Sequence, residues 1–330
     1  MTARVATDLE DAFDECRREL TVYCYRMLGS GFEAEDAVQQ TMLNAWRKYD
    51  SFEGRSTVRS WLYSIASNVC IDMLRQSQRR AMPMELGPAS SPDESLIGSP
   101  LPETTWITPL PDSRRACQEV DPAFAAQGRE SVRFAFLTAL QHLPASQRAT
   151  LILGEVLQFR AGEVAEMLGT SVAAVNSSIQ RARRTLRTLP FEARPTPLEE
   201  PDAALLRAYV DAFERYDIDR LVSLLAEDAL QTMPPFALWI KGARNIGRWM
   251  AEPGPSHCRG SLLLPARANG CAAFGQYRCD PHGGHAPWAI QVLETSGGAV
   301  TGLHCFLSLM DGGRLFEAFG LPAHLDGPNG

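Results

Sequence analysis

Residues 159–186 read FRAGEVAEMLGTSVAAVNSSIQRARRTL, and the rest of the chain is organised around them. The stretch has the pattern of two helices joined by a tight turn. Val164, Ala165 and Leu168 give the first helix an apolar side. Gly169 then breaks it, because glycine enters the left-handed region at little steric cost. Thr170 and Ser171 follow as candidate N-caps, with side-chain oxygens able to accept helix-start N–H groups. In the second helix Val175, Ile179, Ala182 and Leu186 form one apolar stripe. Its other faces carry Asn176, Ser177, Gln180, Arg181, Arg183, Arg184 and Arg187, with no acid between Thr170 and Leu189. Short polar side chains early and arginines late suit a helix that enters a DNA major groove and grips phosphate at its far end. A solvated basic helix pair is the alternative for this stretch taken alone.

Working outward, 330 residues imply two or three domains, and 45% hydrophobic with 22% charged residues is ordinary for a globular protein. No apolar run approaches the ~20 residues needed to span a bilayer. Asp8, Glu10, Asp11, Asp14 and Glu15 argue against a signal peptide, so the cytoplasm is the expected location. The net charge of −7 is unevenly spread. Residues 81–128 hold 2 basic and 7 acidic side chains, and residues 191–330 hold 11 and 16. The remainder has 19 basic against 16 acidic, mildly positive where the DNA-binding pattern lies. The cysteines at 16, 24, 70, 117, 258, 271, 279 and 305 form no CxxC pair, and most fall in apolar patterns, as buried thiols do. Cys279, His282, His285, His304 and Cys305 match no common zinc spacing. Neither a metal nor a cofactor is expected.

Three helices are expected before the linker, at 8–28, 33–49 and 57–80. The first buries Phe13, Leu20, Tyr23, Cys24, Met27 and Leu28, and Gly29 ends it. The second carries Ala34, Val38, Met42, Ala45 and Tyr49 on one side and Asp36, Gln39, Gln40, Asn44 and Arg47 on the other. The third has a core stripe of Val58, Trp61, Leu62, Ile65, Val69 and Met73. Off that stripe lie Arg59, Tyr63, Ser67, Asn68, Arg75, Arg79 and Arg80, and exposed aromatics among arginines suit single-stranded DNA. Residues 81–128 contain 8 of the 22 prolines and little periodicity, so they read as a flexible linker without a core. Within it, Trp106 has little reason to exist unless it docks. An amphipathic helix at 129–143 and another beginning at Pro144 lead into the opening stretch.

In this order the motifs resemble the extracytoplasmic-function sigma factors of the sigma-70 family. Asp36-Ala37-Val38-Gln39-Gln40-Thr41, Ala45-Trp46-Arg47, Phe52, Trp61-Leu62, Ile65-Ala66, Asn68, Asp72 and Arg75 look like region two. Pro144, Arg148 and the helix–turn–helix look like region four. The resemblance implies that Asp36, Gln39, Gln40, Asn44 and Arg47 dock on core RNA polymerase. It implies that Phe52, Arg59, Tyr63, Asn68 and Arg75 handle the −10 element of promoter DNA. Ser171, Asn176, Ser177, Gln180, Arg181 and Arg184 would read the −35 element. A Trp…Pro…Pro-Asp segment, here Trp106, Pro109 and Asp112, occurs in subgroups with a C-terminal extension and implies a regulatory linker.

Beyond residue 201 lies a further domain. Leu205, Leu206, Tyr209, Val210, Phe213 and Tyr216 make an amphipathic helix, and Leu221, Val222, Leu224 and Leu225 a short second one. Strand-like pieces at 228–233, 271–279, 287–294, 299–309 and 314–319 predict a curved antiparallel sheet. Residues 208–246 resemble the start of SnoaL-like domains of the nuclear-transport-factor-two (NTF2) fold, a cone with an apolar pocket. Met233, Phe236, Trp239, Trp249, Tyr277, Trp288 and Phe306 are its candidate lining, and a small molecule is a candidate ligand. Asp211, Asp217 and Asp228 read as capping or solvated, and His304 stands alone, so no acid–base set for catalysis is expected.

The expected architecture is therefore multidomain. An all-α region two at 8–80, a linker at 81–128 and an all-α region four at 129–190 precede an α+β NTF2-like cone at 201–330. The expected function is a non-enzymatic sigma factor modulated in cis by its tail. Two alternatives stay open: a helix–turn–helix regulator that does not join polymerase, and a bifunctional protein whose tail converts a small molecule.

Overall fold

A computed structural model describes residues 3–54, 56–114, 133–189, 202–309 and 311–326. The chain divides into two compact units. The first holds Met1–Arg80 and Arg114–Pro195, and the second holds Ala81–Ser113 and Thr196–Gly330.

The first unit is all helical. Helices α1 (Ala3–Leu28), α2 (Gly31–Lys48) and α3 (Val58–Gln76) pack as a bundle. Leu20, Tyr23 and Met27 of α1, Ala34, Ala37 and Val38 of α2 and Leu62, Ala66 and Cys70 of α3 are all buried where these helices pack. Each such large apolar side chain contributes ~1.5–3 kcal/mol on burial. Gly29, at φ 73°, ends α1, and Ser30 then caps α2 by accepting the Glu33 N–H at 3.3 Å. Thr57 caps α3, accepting the Ser60 N–H at 3.1 Å.

Helices α4 (Phe134–Gln141) and α5 (Ala145–Leu151), then a π turn at Ile152–Val156, precede α6 (Ala161–Met167) and α7 (Val172–Arg187). The last two are the helix–turn–helix read from the sequence. Gly169 has φ 60°, and Ser171 caps α7 by accepting the Ala174 N–H at 3.2 Å. Val175 and Ala182 are buried, whereas Ile179 and Leu186 are half-buried.

Within this unit α4, α5 and α6 pack against the three-helix bundle, and α7 packs on α5 and α6. Ser64 on α3 donates to the Met167 carbonyl on α6 at 2.7 Å. Tyr63 on α3 meets the Phe159 ring edge-on at 5.3 Å. Arg148, 4% exposed, sits at the centre of the contact. Its guanidinium donates to the Met27 carbonyl at the end of α1, to Gln141 Oε1 at 2.8 Å, and to the Gln141 and Leu143 carbonyls at 3.2 Å. Burial lowers its pKa to about 10, so it remains a cation at neutral pH.

The second unit is α+β, as the helices-then-strands order predicts. Helices α8 (Ala203–Glu214), α9 (Ile218–Leu224) and α10 (Ala243–Ala251) pack with a six-stranded sheet. Its strands are β1 (Leu225–Thr232), β2 (Trp239–Lys241), β3 (Leu262–Ala268), β4 (Cys271–Cys279), β5 (His285–Ser296) and β6 (Ala299–Leu307). They lie in the order β2-β1-β6-β5-β4-β3. The sheet is mixed rather than antiparallel, because β1 runs parallel to β6. Their connection spans the whole of β2 to β5, far beyond a hairpin. Bulges interrupt the register at Gln276/Tyr277 and Glu294/Thr295, the local device that bends strands. Residues 314–319 are not a strand: Arg314–Ala318 is a short helix, α11, with Asp311 accepting the Leu315 N–H at 2.9 Å. Leu315 and Phe316 are its buried side chains, a pattern that a short window cannot separate from strand alternation. Gly247 lets α10 approach α9, since a Cβ there would stand 2.6 Å from Val222 Cγ2.

The linker was expected to lack structure, yet Ala81–Ser113 belongs to the second unit. The stretch has almost no regular ladder of its own and borrows partners from the tail. Ser90 donates to the Trp239 carbonyl at 2.8 Å, and Trp239 Nε1 donates to the Gly87 carbonyl at 2.9 Å. The Leu101 N–H reaches the Pro235 carbonyl at 2.8 Å. Residues 106–111 are buried, Trp106 being 2% exposed. Residues 115–132, the rest of the linker and the start of the helix expected at 129–143, lie outside the described residues.

Candidate functional site

Helix α7 presents to solvent the side chains expected to meet DNA. Ser171, Asn176, Ser177, Gln180, Arg181 and Arg184 are all exposed, on the side away from Val175 and Ala182. Ser171 is committed to its capping bond. Arg183 pairs with Glu155 of the π turn at 2.8 Å, which fixes one arginine against its own unit. Arg187 joins Arg181 and Arg184 at the solvent side of the C-terminal half. Ser178, placed beside Asn176 and Ser177 in sequence, is instead buried.

The −10 candidates are divided. Asn68 and Arg75 are exposed; Asn68 donates to the Ser64 carbonyl at 3.0 Å and Arg75 pairs with Asp72 at 2.7 Å. Phe52 is half-buried and tilts against Trp61 at 4.9 Å, with Tyr49 stacked on it at 6.2 Å. Trp61 is also half-buried, so this trio forms one aromatic patch at the start of α3 rather than a core stripe. Tyr63 corrects the sequence reading. It is buried, edge-on to Tyr23 at 5.3 Å, and burial pushes its phenol pKa up. Helical spacing located it off the main stripe, but Tyr23 and Phe159 cover that side. Arg59 is half-buried, bonded to Glu19 at 2.7 Å and lying over the Tyr63 and Phe159 rings.

On α2, Asp36, Gln39, Gln40 and Arg47 are exposed and Asn44 is half-buried, with Gln40 Nε2 donating to Asn44 Oδ1 at 3.0 Å. Sequence reasoning missed two neighbours. Leu43 is 53% exposed and Trp46 is 40% exposed, and helical spacing puts both beside Asp36, Gln39 and Arg47. Two large apolar groups left in solvent amid a polar face mark an interaction surface more than a solvated one. The available signal was their position off the Ala34–Val38–Ala45 stripe.

Trp106, Pro109 and Asp112 of the linker run along the tail. Pro111 bridges to Ala268. Asn269 Oδ1 accepts the Leu110 N–H at 2.9 Å, and the Asn269 N–H returns to the Leu110 carbonyl at 3.1 Å. Asp112 accepts the Gly270 N–H at 2.9 Å and lies 3.5 Å from Arg267. Asn269 and Gly270 form the left-handed turn of the β3–β4 hairpin, at φ 55° and 75°. An Asn269→Ala chain is expected to lose the side-chain bond and strain this turn. Protease cleavage within residues 81–113 should then speed up several-fold; unchanged cleavage would show that Asn269 does not hold the linker.

The tail contains a cavity of about 1080 Å³. Met233, Phe236, Trp249 and Trp288 line it, as expected. Tyr277 and Phe306 do not, because strand side chains alternate between faces. On β6, Leu303, Cys305 and Leu307 line the cavity, so His304 and Phe306 lie on the opposite face. Tyr277 likewise faces away, with its ring edge-on to Phe316 at 5.2 Å and its hydroxyl on the Pro322 carbonyl at 2.8 Å. Trp239 is at the β2 edge, engaged with the linker. His304 is buried, with Nδ1 3.0 Å from Thr232 Oγ1 and Nε2 3.8 Å from Glu294. Asp217 caps α9 and Asp211 pairs with Arg215 at 2.8 Å, the roles read from their positions. Asp228 is exposed.

Cys16, Cys24, Cys70, Cys271 and Cys305 are buried thiols, whereas Cys258 is half-buried and Cys279 exposed. Cys279 Sγ lies 3.7 Å from His285 Nε2, and among the described residues no group of three metal-binding side chains forms. No described helix is long and apolar enough to cross a membrane.

The Sigma-70 region 2 family matches residues 12–80 and Sigma-70, region 4 matches residues 133–186. ECF RNA polymerase sigma factor SigG of Mycobacterium tuberculosis is 42% identical over 316 residues, covering 94% of this chain and 82% of the relative. SigJ of the H37Rv strain is 31% identical over 223 residues, covering 67% of this chain and 63% of SigJ. The crystal structure of M. tuberculosis SigJ aligns with a TM-score of 0.59 at 24% identity, over 94% of this chain and 99% of that one, so the two share a fold. The chain belongs to the extracytoplasmic-function RNA polymerase sigma factors, a family of transcription-initiation subunits rather than enzymes. Within that family it has sigma-70 regions two and four followed by a C-terminal α+β domain built on a six-stranded sheet.

Proposed function

We propose that this sigma factor joins core RNA polymerase through α2, reads the −35 element with α7 and handles the −10 element with the exposed end of α3 and the aromatic patch. The linker and tail control that activity from within the chain, in the cytoplasm. The observation that carries the reading is the pairing of an exposed, acid-free recognition helix with a second surface on α2, each on its own sigma-70 region.

For α2, Leu43 and Trp46 extend the expected set of Asp36, Gln39, Gln40, Asn44 and Arg47. Apolar anchors ringed by polar groups are where binding energy concentrates, at ~2 kcal/mol or more each. Trp46→Ala is expected to weaken association with core polymerase by about tenfold or more. Co-elution on gel filtration measures this, and undiminished complex formation would remove α2 from the interface.

DNA binding requires the first unit to open. The −10 and −35 elements lie ~25 base pairs apart, about 85 Å at 3.4 Å per pair. In this structure α3 and α6 touch through Ser64 and Met167. Arg59 and Tyr63 lie in that same contact, which supports a closed form that has set aside part of its −10 surface. The linker joining the two regions is bonded along the tail, so tail and linker bear on the opening equilibrium. Promoter-directed transcription with the full chain and with a chain ending at residue 200 tests the control in cis. A several-fold difference is expected; identical activity would sink the regulatory reading while leaving the sigma assignment intact.

A further inference from the structure

The tail's cavity, about 1080 Å³, takes no part in the polymerase or DNA contacts described above. Its size is that of a pocket that encloses a small molecule, ~300–1,000 Å³ being usual. The lining residues divide by burial into two groups of different chemistry. The buried wall is mainly apolar, with Met233, Trp249 and Leu303, and Gln231, Gln276 and Gln291 are its polar members. Those amides are engaged within the wall. Tyr209 donates to Gln291 Oε1 at 2.8 Å, Gln291 Nε2 to Gln276 Oε1 at 2.8 Å, and Gln276 Nε2 to Ser261 Oγ at 3.2 Å. Gln231 Oε1 has almost no accessible surface, so it does not open onto the cavity. Cys305 stays a thiol, because burial pushes its pKa up. No buried lining residue therefore carries a charge.

Charge is confined to the mouth. Glu94, Arg278 and Asp280 are half-buried, and His257 and Arg259 are exposed. The Arg278 guanidinium lies over Trp288 at 4.0 Å, and that of Arg259 over Tyr216 at 4.9 Å. Glu94 accepts the Gly254 N–H, and Asp280 accepts the His282 N–H at 2.8 Å. Two carboxylates beside two guanidiniums give the mouth no preference for either sign. A charged molecule that enters the buried part sheds its hydration and meets no counter-charge there. An uncharged apolar molecule gains from the same transfer. Phe213, Phe236, Trp249 and Trp288 line the space, and aromatic faces and edges favour ring compounds.

One wall comes from the linker. Glu94, Ser95 and Ile97 line the cavity, and Ile97 packs against the tail's core. A molecule that fills the cavity touches the segment that joins the two sigma regions.

We propose that the cavity binds an uncharged, largely apolar ring compound, and that the bound molecule holds the linker against the tail. The holding follows from linkage: a ligand that contacts Ile97 binds better when Ile97 is in place, and so favours that state. The regulatory consequence rests on the control in cis proposed above, whereas the binding site does not.

The test uses the full chain without polymerase, titrated with 1-pyrenemethanol, 1-pyreneacetate and 1-pyrenemethylammonium below their aggregation concentrations. The three share one ring system and differ in charge. Energy transfer from tryptophan to pyrene reports binding. The alcohol is expected to bind about tenfold or more tightly than either ion. Leu307→Trp fills part of the space from a half-buried position on β6 and should weaken the alcohol by about tenfold. Trp288→Ala, at the mouth, should weaken it several-fold. Thermal melts show whether each variant keeps its fold. Amide hydrogen exchange at residues 95–97 should slow several-fold when 1-pyrenemethanol is bound. Absence of binding, or binding indifferent to both substitutions in folded chains, overturns the site. Equal or tighter binding of either ion overturns the assignment to uncharged molecules. Binding that leaves exchange at 95–97 unchanged overturns the link to the linker. Truncation at residue 200 that leaves transcription unchanged, with binding intact in the full chain, condemns only the control reading.

Discussion

An Arg148→Met chain is expected to lose ~3 kcal/mol of first-unit stability, seen as an early transition in urea. The substitution keeps much of the volume and removes the donor. Arg148 binds four acceptors from two separate parts of the unit, the Met27 carbonyl on one side and Gln141 and Leu143 on the other. Without it those buried carbonyls have no replacement, and each orphaned group costs ~1–3 kcal/mol. Part of the loss is offset because the guanidinium no longer has to be taken out of water. The same variant separates α1 from α4 and α5, so hydrogen exchange at the end of α1 should rise together with that in α4. A melt within ~0.5 kcal/mol of the unsubstituted chain, the range of ordinary surface changes, would show that Arg148 does not join the two halves.

The second large effect concerns the recognition helix. Asn176→Ala and Gln180→Ala should each cost ~1–3 kcal/mol on the preferred −35 sequence and little on altered ones, because they remove base-edge contacts. Arg184→Ala should weaken binding nearly uniformly across sequences and lower the salt slope by about 1, since it removes a phosphate contact. Titrations of each variant against a panel of −35 sequences at several salt concentrations separate the two behaviours. If all three variants respond alike, the division of α7 into a reading half and a gripping half is wrong. Arg183 serves as the internal comparison, because Glu155 already holds it at 2.8 Å.

The helical part of the fold is legible in the sequence wherever local chemistry decides it. Gly169, Ser171 and the Val175–Ala182 stripe place the turn and both helices, and Gly29 and Ser30 do the same between α1 and α2. What escaped reading depends on partners distant in sequence. Tyr63 lies off the α3 stripe and looks exposed until Phe159, almost a hundred residues later, covers it. Ala81–Ser113 lacks periodicity because its hydrogen bonds go to Trp239, Pro235 and Asn269 of the tail, and no local pattern records such partners. In the tail, the aromatic residues are legible in the sequence but their faces are not. Strand alternation separates Cys305 from Phe306, but knowing which parity points inward requires the register. Leu43 and Trp46 are visible in the sequence as residues off the α2 stripe, and only their exposure in the folded unit makes them part of a surface.

Sequencing of transcript starts reads out whether the chain acts as a promoter-specific subunit of RNA polymerase. Core polymerase, with and without the full chain, is given a library of random promoter sequences, and the transcript starts are sequenced. Starts that depend on the chain and share two spaced elements, the upstream one altered by Asn176→Ala or Gln180→Ala, are the predicted result. No chain-dependent initiation from any member of the library, with a chain that is folded and does not co-elute with core polymerase, would contradict the account.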